Sequence, residues 1–478
     1  MFRFPFYLLL TVFVLSGCMV GPTYQPPQPE MPASFQPTGP WRVAVPKAHL
    51  PRDGWWRVFN DPELDRLEIR AMADNPELQI ILARVARARA GVSTSEAGRY
   101  PRLDLNPLAS RSRTARDFSG SDHGTVSSFF DLPLDLGYEI DLWGRVRHTI
   151  EAAEANLEAG MADYQGALLS LQAEVARAWF SLRTLDSDAA LLAKTIELRQ
   201  KNLELIQSRY DAGETSKLDL ERARTELSIA QAETEAVARH RDELVHTLAV
   251  LIGEQATGFD VAEKPLDLDV PAVAPDIPSS LLERRPDIAA AERRMAAANA
   301  GIGLAHAAFY PEIRLFGNIG FQSATIGDLF EWDNRTWGLG PSVSLPIFDG
   351  GRNRSNLQRA EAAWNEMAAA YRQKVLLAIG EVEIGLSSLH YLERQAAFLN
   401  AAVASSRSAA ELSRKRYRAG LVSYFEVVDT ERTLLSAERQ SVSTLGQQLE
   451  STIYLVKALG GGWDEIDGSP TSHRQTIP

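Results

Sequence analysis

The feature that most limits what this chain can fold into is a stretch that it carries twice. Ser208-Arg209-Tyr210-Asp211-Ala212-Gly213-Glu214-Thr215-Ser216 returns as Lys415-Arg416-Tyr417-Arg418-Ala419-Gly420-Leu421-Val422-Ser423, 420 − 213 = 207 residues later. Each copy follows a long apolar heptad pattern and opens another. Ala-Gly after the last periodic residue is a helix stop, because Gly accepts the left-handed conformation without a Cβ clash. A Ser two or three residues on can cap the next helix. Each copy therefore predicts the tip of a long helical hairpin. One tip would suit an ordinary soluble bundle, whereas two with matched flanks point to a duplicated architecture.

The heptads carry the same offset. Leu168, Val175, Leu182, Ala189, Ile196, Leu203 and Tyr210 form one row before the first tip. Val375, Val382, Leu389, Ala396, Val403, Ala410 and Tyr417 form its counterpart, at 375 − 168 = 207. A second row in the first half, Leu171, Ala178, Leu185, Leu192 and Ile206, is broken only by Arg199. Returning helices follow, with Leu220, Leu227 and Leu248 in one half and Leu435, Val442, Leu449 and Val456 in the other. Such seams need a partner along their whole length. A helix from about residue 145 to 211, at about 1.5 Å per residue, is roughly 100 Å long.

Upstream of each hairpin the plan is also shared. Arg285-Pro286-Asp287-Ile288 matches Asn75-Pro76-Glu77-Leu78, and Phe309-Tyr310-Pro311 matches Arg99-Tyr100-Pro101, at 310 − 100 = 210. Strand candidates come next: Leu103 to Arg113 and Phe130 to Leu142, then Ile313 to Gln322 and Thr336 to Ile347. From Phe130 to Leu142 every even position is apolar and every odd one is acidic, Gly or Pro. That alternation puts one face in oil and one in water, over a length that suits a tilted membrane strand of roughly 9–11 residues.

The N-terminus points to the same compartment. Residues 1–17 read as a secretory signal, too short to span a bilayer comfortably. Leu15-Ser16-Gly17-Cys18 resembles a bacterial lipoprotein signal, in which Cys18 becomes the lipidated N-terminus. Met19 in place of Asp implies, by that resemblance, passage to the outer membrane. Residues 18–60 form a Pro-rich lead-in, which Trp55-Trp56 and Phe59 are expected to dock on the body. The remaining divisions are a first repeat over 61–253, a Pro-rich connector over 254–278, a second repeat over 279–460 and a polar tail over 461–478.

Cys18 is the only cysteine of the 478 residues, and the net charge of −12 is spread along the chain. Nucleic acid, which needs a basic patch, is not an expected partner. No metal-binding His pair, phosphate loop or nucleophile elbow is present, so neither an enzyme nor a cofactor is expected. Two non-enzymatic alternatives compete with a channel: a lipid-anchored periplasmic coiled-coil scaffold or adaptor, and a porin with its own barrel constriction.

Four strands cannot close a barrel, and an open edge in lipid leaves backbone groups unpaired at several kcal/mol each. Bacterial barrels begin at about eight strands, so the strands are shared between copies, eight in a dimer or twelve in a trimer. The chain resembles outer-membrane factors of the TolC and OprM kind, and more closely the NodT-type lipoprotein branch. The resemblance rests on Leu-Ser-Gly-Cys, the two Arg-Tyr-x-Ala-Gly tips, Arg-Arg-Pro-Asp at 284–287 and the strand–hairpin–strand–hairpin order. It implies a mainly α fold with a membrane β-barrel, in which long hairpins form a trimeric α-barrel tunnel. Four strands per chain would enter a shared 12-stranded barrel.

The same resemblance implies a passive, lipid-anchored exit duct in the Gram-negative outer membrane, extending into the periplasm. Its partners would be a periplasmic adaptor (membrane fusion protein) and an inner-membrane transporter, of the RND or a related type. The implied periplasmic gate matches Phe425 for an apolar ring and Asp429 for an acidic one, with Arg432 able to pair with Asp. Asp residues converging on one axis repel each other and attract cations. Gly213, Gly420 and Ser423 are the expected adaptor contacts at the helix tips, and Asp219 and Glu426 are expected to cap or solvate them.

Overall fold

The computed structural model describes residues 19–27, 54–115, 118, 123–268, 270–271 and 284–461. The signal segment, Cys18, most of the Pro-rich lead-in and the tail beyond Gly461 lie outside the described residues. Helices α1 (Pro62–Asp74) and α2 (Pro76–Glu96) are followed by strands β1 (Arg102–Leu105), β2 (Leu108–Thr114) and β3 (Thr125–Glu139). The first hairpin is α3 (Arg145–Asp211) and α4 (Lys217–Leu251). Then come α5 (Pro286–Ala307), β4 (Glu312–Ser323), β5 (Arg335–Ser344) and the second hairpin, α6 (Arg352–Arg418) and α7 (Tyr424–Ala458). The outgoing helices are both 67 residues long and the returning ones both 35. Their starts keep the offset, 352 − 145 = 207 and 424 − 217 = 207.

The chain divides into two compact units, and both draw on both halves of the sequence. One comprises Met1–Gln28, Arg84–Met161 and Ala290–Arg372; the other comprises Pro29–Ala83, Ala162–Ala289 and Gln373–Pro478.

The first unit holds an antiparallel sheet in the order β1–β3–β4–β5, with β2 also on β3. The expected strand from Leu103 is interrupted at Asn106-Pro107 without a change of register: Leu103 faces Leu136 and Leu108 faces Asp131. Pro107 has no N–H to donate to the ladder. Directly paired residues share a face. Leu134–Ile319–Trp337 and Tyr138–Leu315 lie on one face, and Asp135–Asn318–Gly338 and Glu139–Arg314–Ser342 on the other. The apolar face is exposed at Ile319, Trp337, Leu339 and Val343. β3 begins earlier than its alternation suggested and stops at Glu139. Asp141 then caps α3, accepting from the Val146 and Arg147 backbone N–H groups at 3.2 and 3.1 Å.

Residues 19–27 dock in this unit. The Val20 N–H donates to the Trp143 carbonyl (3.1 Å), the Asn299 amide to the Pro22 carbonyl (3.0 Å), and the Tyr24 hydroxyl to Glu292. His148, buried on α3, bonds the Val20 carbonyl through Nε2 at 2.8 Å.

In the second unit Trp55, Trp56 and Phe59 are buried as expected, with the Phe59 ring 4.6 Å from that of Phe180. The connector is held by a buried carboxylate. Asp186 accepts from Arg183 (2.6 Å), Arg241 (2.9 Å) and the Lys264 N–H (2.9 Å). Arg285 of the Arg-Arg-Pro-Asp run bonds Asp287 at 2.9 Å, Glu381, and the Ala458 carbonyl at the end of α7 at 3.0 Å.

Candidate periplasmic gate at the hairpin tips

Both tips close in the same way. Gly213 and Gly420 have φ of 75° and 73°, the left-handed region where a Cβ is strained. The Gly213 N–H donates to the Tyr210 carbonyl and the Glu214 N–H to that of Arg209, at 2.9 and 2.8 Å. The Gly420 and Leu421 N–H groups repeat the pattern on Tyr417 and Arg416, both at 2.9 Å. These paired bonds are the Schellman closure.

The next residues differ. Ser216 Oγ accepts from the Asp219 N–H at 3.2 Å, and the Thr215 and Ser216 hydroxyls donate to the Asp219 carboxylate at 3.1 and 2.9 Å. Ser423 holds the same N-cap position but makes no side-chain cap bond. The capping expected of both serines is thus realised only in the first tip. Ser423 and Gly420 stay exposed, as does Gly213.

Phe425, Asp429 and Arg432 fall at i, i+4 and i+7, on one face of α7, and all three are exposed within the chain. The Arg222 guanidinium lies 5.3 Å from the Phe425 ring centre. Within the chain the Arg432 guanidinium bonds Glu226, on the returning helix of the first hairpin.

Behind this face the hairpins share a core. Tyr424, Val427 and Val428 pack with Ile206, Leu220 and Ala223, and Leu203 and Tyr417 cover the cluster. Arg199, which breaks the apolar row, lies 3.2 Å from Glu226 with both side chains 7% exposed. A charge sits in the seam because its counter-ion is there too. Glu226 therefore receives Arg199 from its own hairpin and Arg432 from the other. Glu431 accepts from the Asn202 amide at 3.3 Å and faces Arg414 at 3.9 Å. Burial raises its pKa above the usual carboxylate value, against the opposing pull of Arg414 and Asn202. Burial, and then Glu431 and Glu226, push the Tyr424 hydroxyl the same way. One heptad above Arg432, Arg439 bonds Asp188 at 2.7 and 2.9 Å and Glu233 at 2.9 Å. Sequence reading missed Glu226, Glu431 and Arg439. A signal was available, since Arg432 to Arg439 and Glu226 to Glu233 are both single heptad steps.

The profile of the outer membrane efflux protein family matches residues 69–254 and 277–461, one match over each hairpin. The chain belongs to this family. It is 34% identical to the outer membrane protein OprJ of Pseudomonas aeruginosa, over 96% of this chain and 95% of that one. It is 33% identical to the pyoverdine export outer membrane protein OpmQ of Pseudomonas putida, over 93% and 95%. The structure of the outer-membrane channel OprN superposes with a TM-score of 0.85 at 30% identity, covering 93% of this chain and all of that one. As an outer membrane efflux protein the chain is an exit duct of the outer membrane, and its family is one of channels rather than enzymes. The periplasmic scaffold alternative falls with that assignment.

Proposed function

We propose that this efflux protein works as a homotrimer in which four strand passes per copy complete a 12-stranded barrel and the long hairpins form an α-barrel tunnel. The observation that carries this reading is the open sheet. The β1/β2 edge and β5 have no strand partner beyond them among the described residues, and one face is apolar and exposed. In lipid such edges must be paired by another copy.

Cys18 carries the lipid, and the docking of residues 19–27 beside Trp143, where β3 gives way to α3, supports an anchor at that level. A periplasmic adaptor meets the tips at Gly213, Gly420 and Ser423 and links the duct to an inner-membrane transporter of the RND or a related type. That transporter supplies the energy and selects the drugs or other small molecules that pass, so the duct has a part in antibiotic resistance. The gate is the Phe425–Asp429–Arg432 face of α7, which three copies bring to one axis.

Two measurements test this. Cryo-electron microscopy of the lipidated protein in detergent should show a three-fold tube with a helical section of roughly 100 Å, and a particle with no axial channel would remove the duct. Phe425→Ala combined with Asp429→Ala should raise single-channel conductance and vancomycin entry several-fold. Unchanged values for both would take these residues out of the gate.

A further inference from the structure

The charges of the sheet are sorted by face and by height. Strand register puts every carboxylate of the five strands, Asp104, Asp131, Asp135, Glu139 and Glu312, on the face opposite the apolar one. The charges on the apolar face are all arginines: Arg111 and Arg113 of β2 and Arg335 of β5. Arg111 pairs with Ser128 and Arg113 with Val126, on the face that Phe130 shares with Leu134. Arg335 pairs with Phe321, which in turn pairs with Leu132.

These arginines stand at one end of the sheet. At the other end, where the strands join α3 and α5, the first apolar row is Ile140–Ile313–Val343. From there to Phe130 is 140 − 130 = 10 residues along the strand. At about 3.3 Å per residue and a tilt of about 40°, that rises roughly 25 Å, the height of the apolar band of an outer-membrane barrel. Arg335 lies at the upper margin of this band, on the row of Leu132. Arg111 and Arg113 lie beyond Phe130, toward the loop that joins β2 to β3.

All three residues are exposed. Among the described residues the Arg111 and Arg113 guanidinium groups have no hydrogen bond or ion pair. Arg335 turns to its loop, donating to the Trp332 carbonyl at 2.7 Å and lying 4.4 Å from the centre of that ring. A cation that faces lipid is costly at the bilayer midplane and nearly free at the headgroups. Headgroup phosphates also supply the anion that the sheet withholds. The planar fork of Arg suits phosphate oxygens, which it binds in pairs. Arg111 and Arg113, two residues apart on one face, are about 7 Å apart, close enough to hold one phosphate between them.

We infer that Arg111, Arg113 and Arg335 bind the phosphates of the glycolipid in the outer leaflet. The apolar rows below them receive its acyl chains, and Trp332 and Trp337 sit at the boundary between chain and headgroup. β2 and β5 lie on opposite edges of the sheet. Closing the barrel therefore sets arginines of two copies beside each junction, where like charges are relieved by a shared anion.

This inference rests on the membrane barrel proposed above, and the test separates the two. Full-length protein, freed of bound lipid by detergent exchange, is titrated with bisphosphorylated lipid A and followed by native mass spectrometry. Affinity should fall about tenfold or more for lipid A stripped of both phosphates, and by a similar factor for Arg111→Gln with Arg113→Gln and Arg335→Gln. Arg102→Gln with Arg314→Gln, on the opposite face, should bind as the unaltered protein does. Conductance in planar bilayers shows which variants keep an intact barrel, and Arg113→Gln alone replaces the triple variant if that one does not insert. Equal affinity for the two forms of lipid A, or undiminished binding by the arginine variants, would overturn the site. Displacement of lipid A by inorganic phosphate would overturn the lipid as its occupant. An unaltered protein that forms no conducting channel would overturn the barrel and the site with it.

Discussion

Where the first hairpin buries Arg199 against Glu226, the second carries Ser406 and Thr433, each 207 residues on. The Ser406 hydroxyl donates to the Ala402 carbonyl and that of Thr433 to the Asp429 carbonyl, so each is satisfied within its own helix. At the tips the contrast runs the same way. The first is capped by Ser216 and Asp219, whereas Ser423 leaves the second uncapped just before the candidate gate. Helix lengths, glycines and turn bonds are shared, but the polar chemistry is not. Duplication preserved the scaffold, and the hairpins diverged where charge is buried and where the helix starts. The first became the fixed side, and the second carries the residues that are held to it.

The largest expected effect tests the fixed side. Arg199→Ala leaves Glu226 buried with only the half-exposed Arg432, and removing one partner of a buried pair costs about 3–5 kcal/mol. Ser406→Ala at the equivalent place removes one neutral hydrogen bond, about 1 kcal/mol. Denaturant unfolding followed by circular dichroism compares the two, and equal losses would erase the asymmetry. Ser216→Ala should cost about 1 kcal/mol through its lost cap, while Ser423→Ala should leave the midpoint unchanged.

Arg432→Ala is smaller again. Its side chain is 57% exposed, which limits the pair with Glu226 to about 0–1 kcal/mol. Its readout is a leakier channel rather than a less stable protein. The smallest effect is one of pH. Burial raises the pKa of Glu431 from its ordinary 4.5, so its neutral form favours the folded state. That contribution is full below the unfolded value and is lost as pH rises through the folded one. Glu431→Gln should flatten this decline, and a decline that persists would assign it to another group. The equivalent position of the first hairpin holds Arg224 rather than a carboxylate.

Most of the fold was legible because helices and strands advertise their periods. The tips, the break at Asn75-Pro76 and the alternation in β3 all follow from spacing and from Gly or Pro at fixed places. Arg199 was visible only as an interruption, since its counter-ion lies 226 − 199 = 27 residues away across a turn. The bond from Arg432 to Glu226 escaped sequence reading for a related reason. Sequence distance favours near neighbours, while the turn at Gly213 and the packing of the hairpins bring Glu226 closer. The cap at Ser423 was over-assigned because residue type permits the bond without enforcing it. Cys18 and the signal segment rest on sequence alone.

The matched lengths of the hairpins bear on how the gene can change. One residue inserted in α3 would advance everything after it by about 1.5 Å and turn it by about 100°. The heptad face would then leave its partner, and the two tips would no longer be level. Insertions and deletions in the helices are therefore tolerated only as compensated pairs or whole turns. Substitution is therefore the expected route of drift there, and length variation is expected in the loops between strands and in the connector.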